Sequence, residues 1–481
     1  MTAHRAETAA ALQEEFSHLI AGKPVTGANL MDVINPATGE VFARCPRAGS
    51  DELEEAVAAA RAAFKSWSKT SHAERAALLR QMAEALEQNQ DWMGELLTRE
   101  QGKPVGQARA EIGRGKGQLV GLSSIDIPVE VLVDDADKHI ELHYRPLGVV
   151  GIITPWNAPI NLALGPIASA LYTGNTIVLK PSPYTPLTTL KMGALMGEIF
   201  PAGVVNVIAG GDDLGQLMTE HPGIDKISFT GSVETGKKVM ASCAATIKRL
   251  TLELGGNDPA IVLDDVDVAD VAKKLFFAGT VNSGQVCMAV KRIYVHAKIY
   301  DALCEALAEE ARNAKLGNGM DPDTQLGPLQ NRMQYEKVKD LLNDTKSSGA
   351  RILAGGEVPD GDGYFIPPTI VADIAEDARL VREEQFGPVL PVMKFTDIDD
   401  AIERANNTTY GLCGSIWTRD LEKGAELAAR LEVGTAWVNQ HRATLPNVPF
   451  GGAKQSGLGR QYSILGLKGY MEPLVISIAK K

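Results

Sequence analysis

Cysteine is scarce in this sequence, and nothing in its spacing suggests pairing. Five are present (Cys45, Cys243, Cys287, Cys304 and Cys413), an odd number, widely spread and without a CxxC pair. That pattern excludes a disulfide framework and a thiolate zinc site, so no metal is expected and a reducing cytoplasm is. Positive charge is also in deficit. Lys and Arg total 48 against 60 Asp and Glu, a net charge of −12, which argues against nucleic acid or an anionic membrane as the main partner. Long apolar runs are missing too. Residues 146–179 carry no charge and no histidine, but Pro155, Asn157, Pro159, Asn161 and Pro166 interrupt them. No unbroken run of about 18 apolar residues is left to span a bilayer. The N-terminal MTAHRAETAAALQEEF has acidic residues where an export signal needs an apolar core, so no export is expected. There is no low-complexity linker and no tandem repeat of about 20–50 residues.

What is present is ordinary for a soluble globular protein: 44% hydrophobic and 22% charged residues over 481 positions, enough for two or three domains. Leu53, Val57, Ala60, Phe64 and Trp67 recur at three- and four-residue spacing and form one apolar stripe of a helix. Ser71 and Glu74 make a capping-box pattern ahead of a second helix carrying Leu78, Leu79, Met82 and Leu86. Strands then alternate with helices. GVVGIIT (148–154), NTIVLK (175–180), VVNVIAG (204–210) and KISFT (226–230) read as strands, with helical segments between the first three. A second series runs from DPAIVLDDVD through KRIYVH (291–296), PVLPVMKF (388–395) and CGSIWT (413–418). Alternation at this spacing predicts βαβ units and parallel sheets. VEVLVDD and HIELHYR (129–145), with the terminal MEPLVISI, read as strands outside the alternation and suit a subunit contact.

Four stretches could carry chemistry. FTGSVETG (229–236) follows a predicted strand and should open a helix, where the Ser232 hydroxyl and amide would suit a pyrophosphate. It is GSxxxG rather than GxGxxG, and a plain strand–helix turn fits it equally well. LELGGND (252–258) sets Glu253 before a glycine pair; taken alone it reads as a solvated loop glutamate, because an ionised one is costly to bury unless paired or used. TPWNAP (154–159) stiffens Asn157 between prolines, as an oxyanion donor requires, although a turn asparagine looks the same. NSGQVCMAV (282–290) places Cys287 at the end of the helical segment KKLFFAGTVNSGQ, and a lone cysteine is more often inert than reactive.

Together and in this order, these four stretches resemble the aldehyde dehydrogenase superfamily. The resemblance extends through NPATGEVFA (35–43), LKPSPYTP (179–186), EEQFGPV (383–389), NNTTYGL (406–412), WVN (437–439) and PFGGAKQSGLGR (449–460), nearly the whole chain. It implies an α/β fold with two Rossmann-like domains and a β oligomerisation arm. Residues 1–127 and 147–255 would bind the dinucleotide, 256–465 would carry the nucleophile, and 128–146 with 466–481 would form the arm of a homodimer or homotetramer. It also implies that Cys287 attacks the aldehyde, that the Asn157 amide and the Cys287 N–H hold the oxyanion, and that Glu253 activates the hydrolytic water. Ile153, Thr154, Pro155, Trp156, Leu254, Gly255 and Phe386 would face the nicotinamide half of the cofactor, and Glu384 its ribose. Lys180 would bind the adenosine ribose, with Ser182, Pro183 and Gly210 nearby, and Phe229, Thr230, Gly231 and Ser232 would lie at the pyrophosphate. NAD is the expected cofactor. The glutamate that NAD-preferring relatives carry three residues after the lysine is Pro183 here, which leaves NADP open.

The resemblance implies a small-molecule aldehyde as substrate. Ala158 and Gly165 are small where relatives are often bulky, which suggests room for a wide or aromatic aldehyde, while Leu162, Val286, Met288 and Thr444 would narrow the tunnel again. His441 and Arg442 after WVN read first as a solvated loop and second as partners of a carboxylate, as in a semialdehyde dehydrogenase. A CoA-acylating enzyme is disfavoured because its relatives tend to lack the Glu253 equivalent. A non-catalytic protein would have no need of Cys287, Asn157 and Glu253 together.

Overall fold

A computed structural model describes residues 15–480. Most of the N-terminal stretch behind the no-export expectation (1–14) lies outside the described residues. Two sheets dominate. In the first, five parallel strands lie in the order Arg249–Glu253, Lys226–Thr230, Val149–Ile153, Thr176–Lys180 and Val205–Val207. The chain starts at the centre with Val149–Ile153, winds outward through two strands, then returns to the other side of its starting strand. The reversal falls between Val149–Ile153 and Lys226–Thr230, and a crevice opens beyond the carboxyl ends of strands at such a switch point. The loops bearing Asn157 and Gly231 leave from these two neighbouring strand ends.

The uncharged stretch 146–179 resolves into the strand Val149–Ile153, the helix Pro159–Tyr172 and the strand Thr176–Lys180. Both strands are buried along their whole length, as continuous apolar runs in a sheet covered on both faces should be. Each fully buried Val, Leu or Ile there contributes roughly 1.5–3 kcal/mol. The stripe helix is Ser50–Trp67, with Leu53, Val57, Ala60 and Trp67 inward. The next helix, His72–Gln88, begins with the expected reciprocal capping box between Ser71 and Glu74.

The second sheet runs Arg351–Ala354, Thr369–Ala372, Val389–Phe395, Val290–His296, Asp258–Val262, Cys413–Trp417 and Thr435–Val438, parallel except at its first pair. The chain passes from one sheet to the other through Leu254–Asn257. A Cβ on Gly256 would stand 2.8 Å from the Cys287 carbonyl oxygen, so glycine is what lets this crossing press against the Cys287 loop. The two-residue strand Gly457–Leu458 pairs with Arg249–Glu253 in the first sheet, although it falls within the 256–465 span expected for the second domain.

A third sheet stands apart. Lys138–Pro146 pairs antiparallel with Met471–Ala479 along the full nine-residue register and with Glu130–Asp134 on its other edge. It leaves Val131, Leu132, Val475 and Ile478 exposed. Among the described residues, no helix is long and apolar enough to cross a membrane.

Candidate active site

The segment before Cys287 departs from the helical expectation. The helix Val268–Thr280 stops at Thr280, and Asn282, Ser283 and Gly284 follow in left-handed conformation (φ 53°, 55° and 74°). Tertiary contact overrides helical propensity here. A Cβ on Gly284 would meet the Gly387 carbonyl oxygen at 2.3 Å, and Ser283 donates its hydroxyl hydrogen to the Gly327 carbonyl (2.6 Å). Two non-glycine residues held left-handed are worth notice, because such strain persists only where surrounding structure imposes it. The turn places Cys287 just before Val290–His296, its side chain partly open to a cavity of about 640 Å³. Burial pushes the thiol up to about 12, against the opposing pull of the Lys291 ammonium. Lys291 donates to the carbonyls of Val286 and Cys287 and lies 3.6 Å from Glu384.

Asn157 lines the same cavity from the first sheet. Its side-chain amide donates to the Gln285 carbonyl (2.9 Å), which ties the two loops together. Its own carbonyl accepts from Asn282 Nδ2 (2.8 Å) and Lys103 Nζ (2.9 Å). Lys103 is paired with Glu111, both buried, and Glu111 also accepts the N–H groups of Ile160 (3.0 Å) and Asn161 (3.2 Å). One carboxylate thus caps the helix Pro159–Tyr172 and anchors the ammonium that steadies Asn157. The Cys287 N–H has no acceptor among the described residues.

Glu253 ends its strand buried rather than solvated. Both carboxyl oxygens are buried without a hydrogen-bond partner, and burial raises its pKa well above the usual carboxylate value, with Arg460 opposing. It does not line the cavity that holds Cys287 and Asn157.

Ile153, Lys180 and Phe229, at the carboxyl edge of the first sheet, line a second cavity of about 650 Å³. Lys180 is buried, its pKa lowered to about 8 by burial against the opposing charges of Asp212 and Asp213, and among the described residues its ammonium makes one hydrogen bond, to the Pro181 carbonyl (3.4 Å). Thr154 donates its N–H to the Lys180 carbonyl. Ser232 caps the helix Val233–Cys243 by accepting the Thr235 N–H (3.2 Å), and the Gly231 N–H donates to Glu253 O. Glu384 accepts the Gly256 N–H (3.0 Å), and a Cβ on Gly255 would strike it. The Trp156 and Phe386 rings meet edge-on at 5.4 Å. Pro155, Ser182, Pro183, Thr230 and Leu254 follow or end strands at this same edge, whereas Gly210 packs against Leu214 and Ala48.

Sequence comparison decides the family. A model of the aldehyde dehydrogenase family matches residues 24–476. The chain belongs to the aldehyde dehydrogenase family. It is similar to the aldehyde dehydrogenase LUC3 of a Fusarium species (39% identity over 467 residues, 97% of this chain and 99% of that protein). It is also similar to the chloroplastic betaine aldehyde dehydrogenase of Beta vulgaris (38% over 461 residues, 92% of each). Among solved structures, an aldehyde dehydrogenase from Bacillus cereus in complex with NAD+ matches with a TM-score of 0.96 at 38% identity over 99% of both chains. Betaine aldehyde dehydrogenase from Staphylococcus aureus, also an NAD+ complex, matches with a TM-score of 0.95 at 34% identity, covering 98% and 97%. The chain is accordingly an oxidoreductase acting on aldehydes.

The cavity wall around the Cys287 thiol bears on the expected tunnel residues. Ala158, Leu162, Val286, Met288 and Thr444 all line the 640 Å³ cavity; Gly165 does not. A Cβ there would meet the Tyr462 ring at 3.1 Å and Gln118 at 3.3 Å, so the room expected from Gly165 is already filled by a side chain nearly 300 residues away. The solvated-loop reading of His441 and Arg442 also fails. The His441 imidazole is fully buried, 2.9 Å from Ser415 Oγ, and Arg442 lines the cavity. Sequence reasoning missed Lys103, Glu111, Arg114, Gln118 and Tyr462. A signal existed for three of them: Glu111, Arg114 and Gln118 recur at i, i+3 and i+7 along the helix Val105–Leu122, a polar stripe on one face.

Proposed function

We propose that this enzyme oxidises an aldehyde to its carboxylic acid with NAD+, through Cys287. The Cys287 sulfur attacks the carbonyl carbon, and the Asn157 amide and Cys287 N–H stabilise the resulting oxyanion. Bound NAD supplies the hydride acceptor. The acyl group is then a thioester on Cys287; water attacks it, Glu253 takes the water's proton, and the C–S bond breaks to release the acid. In sum, RCHO + NAD+ + H2O gives RCOO− + NADH + 2H+. The observation that carries this reading is the meeting of Cys287 and Asn157 on one cavity wall, with the buried Glu253 carboxyl, unbonded among the described residues, ending the strand two places along the same sheet from the one that leads to Asn157. Burial raises the pKa of Glu253, which makes its ionised form a stronger base towards the water.

The residues present fit a dinucleotide. The nearly unbonded amine of Lys180 lies in the second cavity, ready for a ribose hydroxyl, and Ser232 opens a helix whose N-terminus favours phosphate. The missing repulsion at Pro183 is replaced by Asp212 and Asp213, which line that cavity and act on Lys180. A 2′-phosphate there would face Asp212, while Asp213 beside it is paired with Arg47 (2.9 Å), so NAD is favoured, and the double variant Asp212→Asn/Asp213→Asn should lower the kcat/KM ratio of NAD over NADP several-fold. An unchanged ratio would remove these residues from the argument. Five free cysteines suit a reducing compartment.

The direct test is NADH formation by wild type, Cys287→Ala and Glu253→Gln. Cys287→Ala should lose activity by about a thousandfold or more. Glu253→Gln should still give one burst of NADH per active site and then stall at hydrolysis. Full turnover by Cys287→Ala would overturn the mechanism.

A further inference from the structure

We propose that the aldehyde carries its own anion: an oxygen anion, carboxylate or phosphate, at the far end of an apolar spacer, held by Arg442 and Arg114. The inference rests on the reading that the aldehyde reacts in the Cys287 cavity. Both arginines line that cavity. Among the described residues, neither makes a hydrogen bond or an ion pair, whereas Arg44, Arg47, Arg61, Arg249 and Arg351 each pair with a carboxylate.

Arg442 is the less expected of the two. Its Nε is buried without a partner, and its guanidinium lies 5.8 Å from the centre of the Phe277 ring. Burial, with the charge of Arg114 acting in the same direction, lowers its pKa to about 10. Two unpaired like charges beside a partly dry cavity are costly unless something of opposite sign binds there. Among the described residues, no free carboxylate on the cavity wall supplies it. Glu111, the one carboxylate on the cavity wall, is already bonded to Lys103, Ile160 N and Asn161 N. A cationic pocket is also no reflection of the chain as a whole, which carries a net charge of −12.

Arginine presents paired donors matched to carboxylate and phosphate oxygens. Leu162, Met288, Phe277 and Tyr462 make the cavity's apolar lining, so the segment between aldehyde and anion is apolar. A volume of about 640 Å³ is well within the range of about 300–1,000 Å³ of pockets that enclose drug-sized ligands, and exceeds what a four-carbon semialdehyde needs. A formylated aromatic acid or a long-chain oxo acid has the right outline.

The test is kcat/KM with NAD for 4-formylbenzoate, 4-formylphenyl phosphate and the neutral methyl 4-formylbenzoate, in wild type, Arg442→Met, Arg442→Lys and Arg114→Met. Wild type should prefer at least one anion over the ester by tenfold or more, and the preferred anion identifies the oxyanion class. Each Met variant should collapse the anion-to-ester ratio towards one, and Arg442→Lys should recover part of it. The readout is the ratio within one preparation, so a general loss of folding cannot mimic the result. Equal use of anions and ester by wild type, or a ratio that survives Arg442→Met, would overturn the proposal while leaving Cys287 chemistry intact. Absence of any Cys287-dependent oxidation would instead strike the parent reading.

Discussion

A carboxyl group with no partner in a dry place destabilises the protein that holds it, and Glu253 is such a group. The unfolded chain ionises it above about 4.5, while burial keeps it protonated in the folded state to a higher pH. Stability therefore falls as pH rises above 4.5 towards the folded pKa, by at most about 1.4 kcal/mol per pH unit. Glu253→Gln should raise the melting temperature, with a gain larger at pH 8 than at pH 5; thermal scans at both pH values decide it, and a gain independent of pH would contradict the burial argument. The same residue shows how little one position reveals on its own. In LELGGND a solvated glutamate was the simpler reading, and only its place at the buried end of the strand Arg249–Glu253 changes that. Arg442 follows the same course: three residues after WVN it reads as surface, and the folded chain turns it into the cavity.

The element that sequence reasoning undervalued is the helix Val105–Leu122. The i, i+3 and i+7 spacing of Glu111, Arg114 and Gln118 was there to be read, but the pairing of Glu111 with Lys103 was not. Lys103 precedes Pro104, outside the helix, so no i, i+4 rule connects the two. Their union caps the helix Pro159–Tyr172 and steadies the Asn157 loop. Glu111→Ala should leave a buried ammonium and two orphan N–H groups, destabilising the fold by about 3–5 kcal/mol. The double variant Lys103→Met/Glu111→Gln should be less damaging than Glu111→Ala. Urea unfolding midpoints measure both, and a harmless Glu111→Ala would show that the pair is not what holds this junction.

At the scale of the molecule, the third sheet is an element without a core of its own. Its strands 130–146 and 471–479 expose Val131, Leu132, Val475 and Ile478 on a narrow antiparallel ribbon, and apolar surface of that kind usually marks an interface. We propose a homo-oligomer joined through this ribbon. Light scattering should give a multiple of the chain mass, and Val475→Asp/Ile478→Asp should shift it towards the monomer. A monomeric wild type would refute the arm.

Local chemistry explains what the sequence settled by itself. Stripes such as Leu53–Trp67, the box Ser71–Glu74 and apolar runs such as Val149–Ile153 act over a few residues, so their elements were legible, and the order of motifs carried the family and pointed to Cys287, Asn157 and Glu253 as the residues proposed for the chemistry. The tertiary structure alone decided how the carboxyl edge of the first sheet docks on the loop ahead of Val290–His296. That docking bends Asn282–Gly284 left-handed, fills the space beside Gly165 with Tyr462, and sets Arg114 and Arg442 around one cavity. These contacts join residues tens to hundreds of positions apart, and no local spacing encodes them, because they exist only when two separately packed cores meet.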